Sequence, residues 1–346
     1  MESQDPSKRK IRRKLASKQP SFEGWMATVN SLAPQIGPIL LEAYSASSGR
    51  RPYSPLGMFK AFLLRTRYDS LRQVCQKLRS DKHLLELVGL PKAPTHQTFS
   101  VFICRIGPER FRLINNLLIT EIKKRHPDFG KIISVDGTFV KAFAKNNLGK
   151  RSSTDKDALF GFKEKKNGKR ILDFGYRSTV PCDTKLELPL FSITTSANAS
   201  ESKLYRTILR QTKDLGINFE VVTADRLFDS RLNNALTLGY KAIPIIGLNT
   251  RGSKRAKKTG RRLGDKILPI QRDTKEWHRL YRMRTASERV FSSLKKQLNF
   301  ADLKTRGLMR VACHFTLCII AKLLTALSAL RLGREDLTRS VLPWSY

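Results

Sequence analysis

Residues 277–298 read Trp-His-Arg-Leu-Tyr-Arg-Met-Arg-Thr-Ala-Ser-Glu-Arg-Val-Phe-Ser-Ser-Leu-Lys-Lys-Gln-Leu. The run holds no Gly or Pro and many good helix formers, so it predicts a helix. With each position advancing about 100°, Tyr281, Arg284, Glu288 and Lys295 fall within a sector of about 60°. The adjacent sector collects Leu280, Met283, Val290, Phe291, Leu294 and Leu298, the apolar stripe that docks a helix on a core. Arg282, Thr285, Arg289, Ser293 and Lys296 form a third, solvent-facing sector. On periodicity alone the polar face needs no function, since Arg284 and Glu288 make an i,i+4 pair worth only about 0.2–0.5 kcal/mol.

The spacing of that face says more. Tyr281-x2-Arg284-x3-Glu288-x6-Lys295 resembles the Y-R-E-K signature of DDE insertion-sequence transposases, with all four positions matched. The resemblance implies that Glu288 is the third carboxylate of a metal site. It also implies that Tyr281, Arg284 and Lys295 touch the phosphate backbone of a transposon end. Two further carboxylates should then stand upstream.

Working outward, Lys131 to Phe143 is β-branched and bounded by polar stretches, which predicts a strand ending near Asp136 or a hairpin turning there. Ile171–Val180 and Leu186–Thr195 are two more strand-like runs, and Ser200–Leu215 reads as a helix. Phe219–Asp225 is a short apolar strand ending on an acid. Asp229 or Ser230 then caps a helix to Gly239, and Ala242–Ile246 is another short buried strand. Three strands, helix, strand, helix, strand and the Glu-bearing helix make the order of an RNase H-like core, an α/β mixed sheet. The acids at its strand ends are Asp136 and Asp225.

Taken singly, Asp136-Gly137 reads as an ordinary turn and Asp225 as a capping or loop acid. Their contexts point elsewhere, because residues 134–138, Ser-Val-Asp-Gly-Thr, resemble the first DDE motif and residues 223–230, Thr-Ala-Asp-Arg-Leu-Phe-Asp-Ser, the second. Residues 153–158 with Gly175-Tyr176-Arg177, and Leu188-Pro189-Leu190 with Asn198, extend the likeness over roughly residues 130–300. Leu227 stands where the second motif usually has Gly, and Thr179 where the Gly-Tyr-Lys-x-His pattern has His. Neither departure removes a carboxylate. The resemblance thus implies that Asp136, Asp225 and Glu288 hold two Mg²⁺ (or Mn²⁺) ions, hard cations that take oxygen ligands and clamp both oxygens of an in-line displacement at phosphorus. Only 62 residues separate Asp225 from Glu288, which leaves little room for a β-rich insertion domain.

Composition agrees with a nucleic-acid partner. The 346 residues carry 66 Lys and Arg against 29 Asp and Glu, a net charge of +37, more than solubility requires and spread along the whole chain. A basic arm, residues 1–20, includes Arg12 and Arg13, and reads equally as an import signal or a solvated tail. A second basic stretch within 250–276 includes Lys254, Arg255, Lys257 and Lys258. Residues 21–125 form a helical module that breaks at Gly89-Leu90-Pro91 and restarts with Thr95 as N-cap, and it resembles the N-terminal DNA-binding domain of such transposases. The catalytic core is expected over 126–300 and a C-terminal helical cap over 301–346. That cap contains the longest apolar run, Val311 to Leu330, whose His314 and Lys322 suit a docked helix better than a membrane span.

Five scattered cysteines without a Cys-x2-Cys pair read as reduced thiols, and the polar first eighteen residues hold no h-region, so a cytoplasmic, bacterial nucleoid-associated protein is expected. His83, His96, His126, His278 and His314 lack metal-ligand spacing. Trp277 reads as core rather than as a base-stacking platform. The functional expectation is a transposase that binds double-stranded DNA at its element's terminal inverted repeats. It nicks those ends and joins them to target DNA as a homodimer or larger synapse. The alternatives are an inactive DNA-binding derivative and an RNase H-like nuclease without strand transfer.

Overall fold

Side-chain caps decide where the helices begin. In the computed structural model, which describes residues 21–44, 52–145, 153–164, 170–250 and 266–339, Ser21 caps α1 (Phe22–Ser31), followed by α2 (Ala33–Leu41). Ser54, with Pro55 in the first turn, caps α3 (Pro55–Leu63); Ser70 caps α4 (Leu71–Ser80) and Asp81 caps α5 (Lys82–Val88). Each side chain takes an amide N–H that the first turn leaves without a partner. Thr95 caps α6 (His96–Arg125) as expected, its Oγ1 3.2 Å from the Thr98 amide. Gly107, at φ 66°, and Pro108 divide this long helix, because the one leaves the helical region and the other has no N–H to give.

The sheet then forms from β1 (Ile132–Lys141), β2 (Leu159–Glu164), β3 (Arg170–Asp183), β4 (Leu188–Pro189), β5 (Ile193–Ser196), β6 (Val221–Ala224) and β7 (Ile243–Ile246), in the order β2-β3-β1-β6-β7. β1 runs antiparallel to β3 and parallel to β6, and β6 parallel to β7. The far edge of β3 is shared end to end by β2, β5 and β4. Between β5 and β6 lies α7 (Glu201–Asp214), and between β6 and β7 lies α8 (Arg231–Gly239), capped by Ser230. This mixed sheet with crossing helices is the expected RNase H-like α/β core.

Three local expectations are corrected. Asp136-Gly137 is neither a strand end nor a turn: β1 continues through both, paired with Val180 and Thr179 of β3. Leu186–Thr195 is two short strands rather than one run, and β2 lay outside the strands read from sequence. The stretch 277–298 is two helices, α9 (Lys275–Arg282) and α10 (Thr285–Gln297). At their joint the amides of Met283, Arg284, Ala286 and Ser287 each bond three residues back, at 3.0–3.1 Å, so the chain tightens by one turn without Gly or Pro.

The last helix, α11 (Leu308–Arg331), is buried over nearly its whole length. It packs on α6 and α1 on one side and on β4 and β5 on the other, and the indole N–H of Trp25 donates to Thr325 at 3.1 Å. The expected terminal cap on the sheet is thus itself covered by the N-terminal helices. It is the one helix among the described residues long and apolar enough to cross a membrane, yet 89% of its most apolar window is buried within the protein. A main apolar core runs from these helices into the sheet, and a small second cluster of Val221, Ile245, Trp277 and Leu280 seats α9 against β6 and β7. Trp277 is core, as expected.

Candidate active site

The parallel register of β1 and β6 brings the first two acids together. Ile132 to Val135 pair with Val221 to Ala224, so the next residues in line are Asp136 and Asp225. Asp136 Oδ1 accepts the amide of Gly137 at 2.8 Å, and Asp225 Oδ1 accepts the amide of Leu227 at 2.7 Å as cap of a short 3₁₀ turn. Leu227, the unusual residue of the second motif, leaves this cap intact.

α10 is clamped to β1 by hydroxyls. Ser287 Oγ donates to the Arg284 carbonyl at 2.7 Å, and Ser134 Oγ of β1 donates to Ser287 Oγ at 3.1 Å. Lys295 Nζ donates to Thr138 Oγ1 further along β1. The predicted face survives the break between α9 and α10. Arg284 stands at its centre, with Nη2 2.7 Å from Glu288 Oε1 and Nη1 3.9 Å from Asp136 Oδ2. Its guanidinium carbon lies 5.8 Å from the Tyr281 ring centroid, and that ring stacks on Trp277 at 4.6 Å. Gly247 lets the Tyr281 hydroxyl approach, because a Cβ there would come within 2.5 Å of it.

Asp136, Asp225 and Arg284 are therefore brought together, whereas Glu288 is exposed and turned to Arg284. Among the described residues no three His, Cys, Asp or Glu side chains form a metal-holding group. Arg12, Arg13, Lys254, Arg255, Lys257 and Lys258 lie outside the described residues. Sequence reasoning missed a fourth carboxylate, Glu201, at the start of α7. It is buried, ion-paired with Arg177, and packed so closely on β1 that a Cβ at Gly137 would meet its carboxyl at 2.3 Å. The Gly of the Asp-Gly pair thus makes room for Glu201 rather than for a turn. The only sequence signals were an acid in a helix's first turn and a basic residue after Gly-Tyr.

Burial pushes the Asp136 carboxyl up to about 7, with the Asp225 and Glu201 carboxylates adding to it and the Gly137 amide and Arg284 opposing. Asp225 is raised by burial against the Leu227 amide and Arg284, and Glu201 by burial against Arg177. Buried carboxyls held back from ionising are an all-oxygen donor set that a hard divalent ion fits, since its charge favours the ionised form.

A pH dependence follows from Asp136. Its carboxyl is held well above the unfolded value, so the native state keeps a proton that the unfolded chain loses as pH rises from about 4 to 7, and stability falls over that window. The penalty is full above about 7 and about 4 kcal/mol at most, less because water reaches part of the carboxylate. Without divalent ions, Asp136→Asn should melt several degrees above the parent at pH 8, with the gain vanishing near pH 4. Equal melting shifts at both pH values would contradict the burial of this carboxyl.

The chain matches the family model described as Transposase DDE domain over residues 127–324, and that described as Transposase domain over residues 19–105. It belongs to the DDE transposases, DNA-binding enzymes that use divalent metal to cleave DNA strands and transfer them. No curated protein matches the chain. Among solved structures it is similar to a piggyBac transposase synaptic complex with hairpin DNA, at 11% identity over 92% of this chain and 77% of that one, with a TM-score of 0.43. It is also similar to the Mos1 mariner paired end complex with Mn, at 12% identity over 80% and 86% of the two chains, with a TM-score of 0.23.

Proposed function

We propose that this transposase binds the terminal inverted repeats of its own element, nicks them by phosphodiester hydrolysis and joins the freed 3′-hydroxyls to target DNA by transesterification. The observation that carries the proposal is the meeting of Asp136 and Asp225 beneath the helix that bears Arg284, Glu288 and Lys295. Asp136, Asp225 and Glu288 would hold two Mg²⁺ or Mn²⁺ ions. Bound there, the ions supply charge stabilisation for the attacking and leaving oxygens.

The protein's own side chains set the geometry. Arg284 neutralises Asp136 and Glu288 in the absence of DNA, and a phosphate of the transposon end competes for the same guanidinium, because Arg–phosphate pairs are bidentate and charge-assisted. Drawing Arg284 to the phosphate frees Glu288 to turn toward the other two acids. Tyr281 and Lys295 flank the same track, the basic arm and the 251–262 stretch add phosphate contacts, and the protein works as a homodimer or larger synapse. The Arg284–Glu288 contact, with the motif departures at Leu227 and Thr179, is what favours an inactive DNA-binding derivative.

A nicking assay on end-containing duplex separates these readings. Mg²⁺ or Mn²⁺ should give nicks with 3′-hydroxyl ends, while Ca²⁺, with its larger and looser shell, should support binding but little chemistry. Undiminished cleavage in EDTA would refute the metal-dependent reading. Products joined to a second duplex exclude a nuclease without strand transfer.

A further inference from the structure

We propose that a basic pocket between the N-terminal helices and the end of β1 receives one unstacked nucleotide of the DNA strand. The cavity, of about 490 Å³, lies among α4, the first half of α6, the residues just past β1 and the start of α11. Five of its fourteen lining residues, Arg65, Arg72, Lys304, Arg306 and Arg310, are basic and none is acidic, against 66 basic residues in 346 along the chain. The lining is about twice as basic as the chain as a whole.

The second observation is Phe143, which lines the same pocket with 47% of its surface exposed. The Arg306 guanidinium lies 5.4 Å and Lys304 Nζ 6.0 Å from its ring centroid. Three of the cations have structural partners: Arg65 donates to the Tyr68 and Asp302 carbonyls at 2.9 Å, Lys304 pairs with Asp302 at 2.9 Å, and Arg310 Nη2 donates to Cys104 Sγ at 3.2 Å. Arg65, buried and bonded to two carbonyls, is the fixed cation of the lining, while Arg72, Lys304, Arg306 and Arg310 add charge around it.

Cations around a half-exposed aromatic ring match one nucleotide: phosphate for the former, base for the latter. The volume is that of a small-molecule site, too small for a duplex. Phe143 follows Asp136 by seven residues, so the pocket is no more than about 24 Å from the carboxylates, about seven base pairs of duplex at roughly 3.4 Å each. One DNA molecule can reach both.

The inference rests on the transposase reading only in placing that DNA at Asp136, and its test needs no catalysis. Anisotropy titrations of the full chain in EDTA would use a labelled oligothymidylate of about twelve nucleotides and a blunt duplex of equal length. Phe143→Ala should weaken oligothymidylate binding by about 5- to 100-fold, from the loss of base stacking. Duplex binding should change less than about twofold, and Phe143→Trp should retain the parent affinity. Arg72→Gln with Arg310→Gln should lower the salt slope on the single strand by about 1.4, or about 0.7 for each phosphate contact. Unchanged oligothymidylate binding by Phe143→Ala, or an equal loss on both probes, overturns the pocket. Neither result touches the carboxylate assignment, which nicking reads separately.

Discussion

Glu288→Gln should reduce strand cleavage by roughly a thousandfold or more and leave binding to the element's ends within about twofold. The substitution keeps size and hydrogen-bonding capacity but removes the charge that holds a cation. Changes one shell further from a metal already cost about 10–100-fold, so losing a ligand should cost more. Binding should survive because Glu288 is exposed and its neighbour Arg284 keeps its second acidic partner, Asp136. Arg284→Ala and Lys295→Ala should behave in the opposite sense, weakening the end complex and blunting its salt dependence. Arg284 has a second effect, since its loss also frees Glu288 and leaves Asp136 without its neutralising partner, so this variant should lose cleavage beyond its loss of binding. Gel-shift titrations beside a nicking assay on the same proteins measure both quantities. If Glu288→Gln cleaves normally, or fails only because it no longer binds, the metal-ligand assignment is wrong.

The architecture was legible wherever local pattern and tertiary environment agree. The short apolar runs at Phe219–Asp225 and Ala242–Ile246 became β6 and β7, and Thr95 and Ser230 cap the helices they should. The misreadings lie where the deciding contact is distant in sequence. Nothing local marks the tightening at Met283–Arg284. It sets α9 on the β6–β7 cluster while hydroxyl bonds from Ser134 and Ser287 hold α10 on β1. Gly137 looked like half of a turn because its real constraint, the carboxyl of Glu201, arrives from 64 residues away. Leu159–Glu164 escaped as a strand because its pairing with β3 supplies the order that its lysine-rich flank conceals. The four-residue face of the signature stretch came from spacing, and its meaning from family resemblance. Helix periodicity alone gave only a charged surface with an i,i+4 pair.

Affinity for DNA should fall by about 10³–10⁵ as salt rises from about 50 to 200 mM, the response of a protein that neutralises roughly six to ten phosphates. A net charge of +37 supplies many more cations than that, so the number of phosphates in reach, rather than the number of lysines and arginines, limits the slope. The assignment of that slope to the arm with Arg12 and Arg13 and to the stretch with Lys254, Arg255, Lys257 and Lys258 rests on clustered charge without interleaved aromatics. Such segments contact phosphates, which position a protein on DNA without reading its sequence. Deleting residues 1–18 should therefore weaken end DNA and unrelated DNA by the same factor and lower the slope for both, whereas Arg284→Ala should be felt more on the end complex that engages the carboxylates. The measurement is a set of anisotropy titrations across that salt range on two duplexes, one carrying the element's end. An affinity nearly independent of salt would remove phosphate neutralisation as the source of binding, and a loss confined to one duplex would make the arm a reader of bases.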